Sequence, residues 1–303
     1  MGDDKGSVTI LMAMIAAVIL TIGLGFNWLV KEHMRTSEGL KEKAAAIVKA
    51  RSAYDTLSYL LFTGRIMEGE IIFEENGITT LRSIPLDGTE IMLGEGVSVR
   101  VQDSNGRLSL TTLNPEALER LVRNESDAST GAVFTASFLD WTDRDDTARM
   151  NGAEARYYEG QGSPYHPRNY DVQYLSELAF IRGMDEDLFR RVSSSMTILP
   201  TTGFNPNTAS DAVLKAFLNI NDSGLASIRN YLKQNRITSK EELFRLTGKI
   251  YQPEEGQLWF IPSYQMDIEV SVGAPRSLYR IKAGLTAAQA VFYPSFIHYW
   301  QEG

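Results

Sequence analysis

The chain has 303 residues, of which 43% are hydrophobic and 22% are charged, a composition typical of a packed protein rather than a disordered one. The net charge of −8 argues against a general polyanion binder, because nucleic-acid affinity rests mainly on neutralising phosphates. Cysteine is absent, which excludes disulfides, thiol nucleophiles and cysteine-ligated metal sites, and only three histidines occur.

The first predicted element is a membrane-spanning helix. Residues 8–30 carry no charged side chain, and a helix of this length spans roughly 34 Å, enough for a bilayer core of about 30 Å. A cleaved secretory signal is the alternative, but its apolar region is about 7–15 residues long and ends at an Ala-x-Ala-like site, which does not follow here. Lys31, Arg35, Lys41 and Lys43 follow the span, so the positive-inside rule alone places the C-terminal side in the cytoplasm.

The helix is predicted to continue beyond the membrane as an amphipathic helix. Apolar residues recur at spacings near three and four, and Gly64 follows them as a residue that commonly terminates helices. The stripe consists of Leu40, Ala44, Ile47, Tyr54, Leu57 and Leu61. We therefore expect one helix over about residues 8–63, half of it in lipid and half carrying a soluble head.

Residues 69–110 change to a period of two, which predicts an antiparallel meander. Residues 71–73 and 78–81 flank Asn76-Gly77, and residues 97–101 and 108–110 flank Asn105-Gly106. Asn-Gly between two apolar runs predicts a hairpin in each case.

The pattern then becomes helical as far as about residue 256. Asn114 followed by Pro115 and Glu116 predicts an N-capped helix start. Further helical stretches are predicted at residues 175–181, 185–192, 212–218, 224–234 and 241–246. Strands are predicted again at residues 264–272, 278–283 and 289–293. This order predicts a helical domain inserted between strands of one sheet.

Several stretches together resemble the K-type minor pseudopilins of the type II secretion system, over nearly the whole chain. They are the apolar helix after Gly6, residues 103–110, 140–146, 151–154 with Tyr157-Tyr158, 164–169, 175–178 and 205–209. The acidic stretch followed by Asn-Gly-Ala-Glu and a tyrosine pair is the most specific part. The resemblance implies an α+β fold, in which a pilin-like long N-terminal helix packs on a small antiparallel sheet with a large inserted all-helical domain.

The resemblance also divides the chain. It implies a prepilin leader at residues 1–6, a transmembrane helix at 7–30 and its amphipathic continuation at 31–66. The first part of a pilin-like β domain is expected at 67–113, the inserted α-helical domain at 114–258, and strands that complete the β domain at 259–303.

The function that the resemblance implies is non-catalytic. A prepilin peptidase would cut after Gly6 and leave Ser7 as a methylated N-terminus, although Asp3 and Asp4 depart from the family's usual basic leader. The N-terminus would be cytoplasmic, in the inner membrane, and the head periplasmic, because the specific motifs outweigh the Lys and Arg count. The implied partners are I-type and J-type minor pseudopilins, then other pseudopilins and the inner-membrane assembly platform.

Leu11 occupies mature position 5, where most pilin-like subunits carry a glutamate that pairs with the N-terminal amine of a neighbouring subunit. A lone charge among apolar helices is costly unless it is paired. A subunit without this glutamate cannot offer that partner to an incoming neighbour, which suits the pseudopilus tip, as the K-type resemblance implies. The alternative is that Leu11 is one more lipid-facing residue.

Five carboxylates, Asp140, Asp143, Asp145, Asp146 and Glu154, fall close together and repel one another unless they are solvated or bridged by a cation. Calcium takes about 6–8 oxygen ligands in flexible geometry, although the spacing is not that of an EF-hand. The resemblance implies a structural calcium ion held by these acids, and a solvated acidic loop is the alternative. A magnesium-dependent phosphoryl-transfer enzyme is disfavoured, because neither a phosphate-binding glycine loop nor a nearby histidine base occurs.

Residues 205–250 also resemble a helix-hairpin-helix module of DNA-binding proteins. They contain seven Lys and Arg residues against four acids, so a DNA-contacting pilin-like subunit of an uptake system is the rival function. However, Asn221-Asp222-Ser223-Gly224 occupies the turn where such modules present a Gly-x-Gly amide cluster to phosphate. A packing role is therefore favoured over nucleic-acid binding.

Overall fold

The structure is a computed structural model that describes residues 4–67, 69–74, 77–251, 256–273, 277–287 and 296–303, with only the backbone of residues 4–7. It begins with a 60-residue helix, α1 (Asp4–Thr63). Residues 8–30 of α1 are exposed throughout, and α1 is the one helix in the described ranges that is long and apolar enough to cross a membrane.

Helix α1 ends at Thr63, as the periodicity and Gly64 predicted, and strand β1 (Arg65–Met67) follows, so the expected domain boundary at residue 66 falls within β1. The amide of Gly64 still donates to the carbonyl of Leu60 at 2.9 Å. A Cβ atom at Gly64 would lie 2.3 Å from Cγ2 of Ile71, so the chain turns back here only because position 64 lacks a side chain.

The buried stripe of α1 differs from the predicted one. Leu40 is 66% exposed and Ala44 is also exposed, so the prediction was wrong at the start of the stripe. The buried side chains are those of Ala46, Ala50, Ala53, Leu57, Leu60 and Leu61. Three alanines let α1 approach the sheet closely, and periodicity alone could not distinguish them from the larger apolar residues one position away.

The sheet beneath α1 has five antiparallel strands in the order β10-β9-β8-β5-β4. They are β4 (Ile91–Gly94), β5 (Val97–Asp103), β8 (Gln265–Val272), β9 (Tyr279–Thr286) and β10 (Phe296–Glu302). Strands β2 (Glu70–Ile72) and β3 (Ser83–Pro85) form a second sheet with β1. The expected α+β class is confirmed.

The first predicted hairpin forms with β3 in place of residues 78–81 as its second strand, and the second predicted hairpin was wrong. Strand β2 pairs with β1 and β3 and not with residues 78–81, and β5 pairs with β4 and β8. Residues 104–106 form a 3-10 turn, after which β6 (Leu108–Ser109) pairs in parallel with β7 (Met196–Thr197). The reason is that Leu108 and Leu110 are buried in the inserted domain rather than in the sheet. The predicted strand at 289–293 lies outside the described residues.

The inserted domain contains seven helices in its described part. They are α2 (Pro115–Glu125), α3 (Ala128–Thr142), α4 (Ala155–Gly160), α5 (Glu186–Val192), α6 (Asp211–Leu218), α7 (Asp222–Leu232) and α8 (Lys240–Thr247). Oδ1 of Asn114 accepts from the amide of Ala117 at 3.0 Å, which confirms the predicted cap. Helices α3 and α4 were not predicted. Strand β7 means that the insert is not all-helical, and residues 175–180 form a 3-10 helix instead of an α-helix.

Asp103 joins the two buried cores of the molecule, one between α1 and the sheet and one within the insert. Its fully buried carboxylate accepts hydrogen bonds from the amide and Oγ of Ser263 at 2.8 Å, from Nδ2 of Asn205 at 3.1 Å and from Oγ1 of Thr208 at 2.8 Å. These donors belong to the insert and to the segment that returns from it to β8. The Asp103 junction therefore orients the insert on the sheet.

Candidate metal centre

Two of the predicted carboxylates lie at the C-terminal end of α3. Phe134, Phe138 and Trp141 recur at spacings of four and three and are at most 3% exposed, so they fix α3 on the insert core. Asp140 is fully buried beside Trp141, and Asp143 follows as the half-buried C-cap. Packing of these aromatic side chains thus buries the neighbouring carboxylate of Asp140.

Glu154 returns to the same place at the start of α4. The rings of Trp141 and Tyr158 pack edge to face with centroids 5.3 Å apart, which holds α4 against α3. Glu154 is only 4% exposed. One carboxylate oxygen from each of Asp140, Asp143 and Glu154 lies within 4.8 Å of the others, so these three residues form the candidate centre.

Several oxygens at the centre have no hydrogen-bond donor. Within the described part of the chain, both carboxylate oxygens of Glu154, Oδ1 of Asp143 and Oδ1 of Asn169 are buried without a partner. Burial, followed by the negative charges of Asp140 and Asp143, raises the pKa of Glu154 to about 7. Buried acceptors without donors are costly, and a cation would satisfy them.

Arg149 provides positive charge to two of the three carboxylates. Its Nη1 donates to Oδ1 of Asp140 at 2.7 Å and also to Oδ2 of Asp143. Its backbone amide lies 3.2 Å from Oδ2 of Asp140. These bonds raise the pKa of Arg149, whereas the Glu154 carboxylate receives no hydrogen bond from it.

The turn between α3 and α4 passes directly over Asp140. Asn151 has a φ of +68°, in the left-handed region, and the amide of Gly152 donates to the carbonyl of Arg149 at 2.9 Å. A Cβ atom at Gly152 would lie 2.0 Å from Oδ2 of Asp140. The backbone therefore forms a close cradle around this carboxylate.

The structure does not bring all five predicted ligands together. Asp145 and Asp146 are exposed and lie outside the converging group. Oδ1 of Asp145 accepts a hydrogen bond from the amide of Thr147 at 2.9 Å, so this side chain stabilises a local turn. Oδ1 of Asp146 lies 3.4 Å from Nδ2 of Asn169, the residue that the sequence analysis did not select as a ligand.

The backbone of Asn169 is hydrogen-bonded to the last turn of α3, which carries Asp140. Its amide donates to the carbonyl of Trp141 at 2.9 Å, and its φ of +54° is in the left-handed region that asparagine tolerates better than most residues. The sequence could have indicated Asn169 only through the motif at residues 164–169. Nothing in that motif distinguishes a metal ligand from a turn residue.

The donor set fits calcium better than a soft metal. It consists of carboxylate and amide oxygens, and the sequence supplies no cysteine. Calcium accepts such oxygens in flexible geometry, which suits ligands taken from a helix end, a turn and the start of a second helix.

The predicted processing and tip residues all lie in α1. Gly6 and Ser7 fall in its first turns, and their side chains are outside the described part of the structure. Leu11 is 57% exposed on the apolar surface of the helix.

Three of the seven basic residues in the helix pair near residue 205 form ion pairs with acids of the same unit, and one of them is Arg245 with Glu242. Lys215 forms an ion pair with Asp222, and Arg229 forms one with Asp211. Asn221 caps α7 by accepting from the amide of Gly224 at 3.0 Å. The turn thus makes a local cap, and no observation in the described structure favours DNA binding.

Comparison with known proteins places the centre within a recognised family segment. A family model described as type II secretion system (T2SS), protein K, matches residues 100–201, which include the candidate centre and Asn169. Type II secretion system protein K of Pectobacterium carotovorum subsp. carotovorum is 24% identical over 251 residues, which are 76% of this chain and 75% of that protein. The protein K of Dickeya chrysanthemi is 29% identical over 161 residues, 48% of this chain and 44% of that protein.

The K-type resemblance is confirmed. A chain of the crystal structure of the GspK-GspI-GspJ complex, from the type 2 secretion system of enterotoxigenic Escherichia coli, superposes with a TM-score of 0.56. The alignment covers 90% of this chain and 99% of that chain at 17% identity, so it shows the fold. The pilin-like architecture is thereby confirmed, and the apolar first half of α1 fits a single-pass membrane anchor of a K-type pseudopilin.

Proposed function

We propose that the chain is a non-catalytic minor pseudopilin that forms the tip of a type II secretion pseudopilus, helps to start its assembly and so aids protein export across the outer membrane. One combination of features supports this function. An exposed apolar helix that can anchor the chain is followed by a head in which the residues matched by the protein K family model contain the candidate metal centre. The fold likeness to a chain of the GspK-GspI-GspJ complex supports I-type and J-type minor pseudopilins as the first partners.

The anchor would place the N-terminus in the cytoplasm and the head in the periplasm, with the other pseudopilins and the inner-membrane assembly platform as later partners. Cleavage by the prepilin peptidase after Gly6 would leave Ser7 at the mature N-terminus. Mass spectrometry of the protein from cells with an active peptidase should therefore give a chain that begins at Ser7. A chain that keeps its first six residues would contradict the proposed processing.

Leu11 supports the tip position, because it provides no carboxylate to the N-terminal amine of a following subunit. Gold labelling or cross-linking of assembled fibres should find the wild-type chain at one end. Leu11→Glu should restore an acceptor and shift part of the protein into the shaft, whereas Leu11→Gln, which is polar but uncharged, should not. Wild-type protein distributed along the shaft would overturn the tip proposal.

The candidate centre supports a structural calcium ion. Asp140, Asp143 and Glu154 would hold it, with Asn169 as a further oxygen ligand. Bound calcium would supply the positive charge that offsets the mutual repulsion of these carboxylates. The residues themselves would then hold α3, the turn over Asp140 and α4 together.

Thermal melting of the detergent-solubilised full chain, first stripped with a chelator, tests the calcium proposal. Saturating calcium should raise the melting temperature by mass action, because the ion binds the folded state alone. Glu154→Gln should lose most of this increase, whereas Glu159→Gln, a matched change at an exposed residue of α4, should retain it. An unchanged melting temperature of the wild-type chain would overturn the calcium proposal.

A further inference from the structure

The three carboxylates of the candidate centre are neutralised unequally. One guanidinium nitrogen of Arg149 bridges Asp140 and Asp143, while both oxygens of Glu154 remain without a donor in the described structure. The Arg149 side chain thus neutralises the two aspartates and does not hydrogen-bond to the buried carboxylate of Glu154.

A divalent cation at this centre would meet the guanidinium at short range. Calcium lies about 2.3–2.6 Å from its oxygen ligands, and Nη1 of Arg149 is already 2.7 Å from Oδ1 of Asp140. Two cations bound to the same carboxylates repel each other, and a divalent ion does so twice as strongly as a monovalent one at the same distance. The ion and the guanidinium therefore cannot both keep their best contacts.

We propose that Arg149 is an internal competitor of calcium, which holds Asp140 and Asp143 in the metal-free protein and is displaced from them when the ion binds. This inference rests on the calcium site proposed above. It identifies Arg149 as the residue that controls the affinity of that site for calcium. The competitor keeps the acidic turn folded before metal binding, but it lowers the affinity for calcium.

The surroundings of Arg149 allow it to leave. Its side chain is 42% exposed, whereas Asp140 is fully buried and cannot follow it. Residues 144–151 are all exposed, so a released guanidinium would enter water, where its charge is well solvated. The partner that moves is therefore the arginine, and the carboxylates stay in place to bind the ion.

Isothermal titration of the full chain in detergent with calcium tests the competition. Arg149→Gln removes the competing charge and should tighten calcium binding on the order of tenfold, because the divalent ion no longer displaces or repels a cation at the same carboxylates. The same variant should lower the melting temperature of the metal-free protein, because its carboxylates lose their cation. A purely structural arginine would lower the melting temperature without tightening calcium binding.

Arg144→Gln is the matched control. It removes the same charge five residues earlier from a residue that is exposed and makes no ion pair or hydrogen bond within the described residues. It should change calcium affinity much less than Arg149→Gln. Equal effects of the two variants would show a general charge effect and overturn the competition.

A second measurement uses the wild-type chain and does not depend on the folding of a variant. Arginine-selective dicarbonyl labelling, read by mass spectrometry, should show that calcium increases the reactivity of Arg149 but not that of Arg144. Unchanged or reduced reactivity of Arg149 in the calcium-bound protein would overturn the proposal.

The outcomes separate this inference from the calcium proposal. If the wild-type chain binds calcium but Arg149→Gln binds it no more tightly, the competition is wrong and the calcium site stands. If neither protein binds calcium, both are wrong. Binding by Arg149→Gln alone would show that Arg149 excludes calcium from the wild-type chain, which would overturn both the calcium site and the proposed displacement.

Discussion

The turn at residues 149–152 passes so close to Asp140 that a side chain at position 152 would overlap its carboxylate. Glycine at this position lets the backbone approach, while Asn151 supplies the left-handed conformation before it. A single missing side chain thus determines where the buried carboxylate can point. Burial of neighbouring Glu154 raises its pKa to about 7.

Gly152→Ala should weaken calcium binding and lower the free energy of unfolding by about 1–3 kcal/mol, the usual cost of overpacking. The new methyl group would displace Oδ2 of Asp140, which lies 2.0 Å from the ideal Cβ position. Calcium titration and thermal melting of the full chain measure both effects. Gly160→Ala is the control, since nothing lies within 4 Å of its Cβ position, and equal losses in both variants would contradict the cradle.

The pH dependence of stability should report Glu154. Its pKa of about 7 in the folded chain lies above the ordinary value of 4.5, so the folded state holds this proton more tightly than the unfolded state. The resulting contribution to stability is present below pH 4.5 and is lost as the pH rises through 7. Calcium needs the ionised carboxylate, so stabilisation by calcium should increase over the same range.

Melting of the chelator-treated and calcium-loaded chain at pH 6 and pH 8 measures this difference. Glu154→Gln carries no titratable proton, so the metal-free variant should lose the part of the pH dependence that belongs to Glu154. A calcium effect that is larger at pH 6 than at pH 8 would contradict the role of Glu154.

Among the elements, α1 combines two different surfaces in one helix. Its first part exposes apolar side chains, and its last part buries a stripe that begins with three alanines against the sheet. Small side chains bring the helix axis close to β5, β8 and β9, so the position of the anchor relative to the head is fixed by close packing.

Ala50→Leu should therefore destabilise the head by about 1–3 kcal/mol, because Ala50 is fully buried between α1 and the sheet. Ala45→Leu, at an exposed position of the same helix, should change stability little, since Leu and Ala have similar helix propensities. Thermal melting of both variants in detergent makes the comparison. Two equally stable variants would show that the helix does not approach the sheet so closely.

For the whole molecule, the decisive contact is the Asp103 junction between the two cores. Burial raises the pKa of Asp103, but donors from Ser263, Thr208 and Asn205 act in the opposite direction. These hydrogen bonds connect the inserted domain, with its candidate metal centre, to the pilin-like sheet. This carboxylate therefore contributes to the orientation of the insert on the sheet, together with the neighbouring hydrogen bonds of Gln102 and Asn105 to the insert.

Asp103→Ala should lower the free energy of unfolding by about 3–5 kcal/mol, because several buried donors lose their acceptor. Asp103→Asn keeps part of the acceptor capacity and should cost less. Calorimetry should also show whether the insert and the sheet then melt separately. Asp87→Ala, at an exposed aspartate that accepts only from the amide of Thr89 within the described residues, is the control and should be nearly neutral.

The sequence by itself determined the elements whose signals are local. The apolar run of α1, the Asn114 cap and the return of strands after the insert were all predictable, because each depends on side chains a few residues apart. The acidic cluster was recognisable for the same reason. Three of its five members converge in the structure, and the resemblance to K-type pseudopilins directed attention to them.

Only the tertiary structure decided which residues meet. Asn-Gly at residues 105–106 is typical of a hairpin turn. However, the nearby Asp103 carboxylate accepts hydrogen bonds from residues more than 100 positions away, so this turn connects the sheet to the insert. The burial of the alanine stripe and the hydrogen bond of Asn169 to the end of α3 are likewise set by packing between segments that are separated in the chain. Local propensity contains no information about those contacts, because their free energy comes from burial and charge that exist only after the chain has folded.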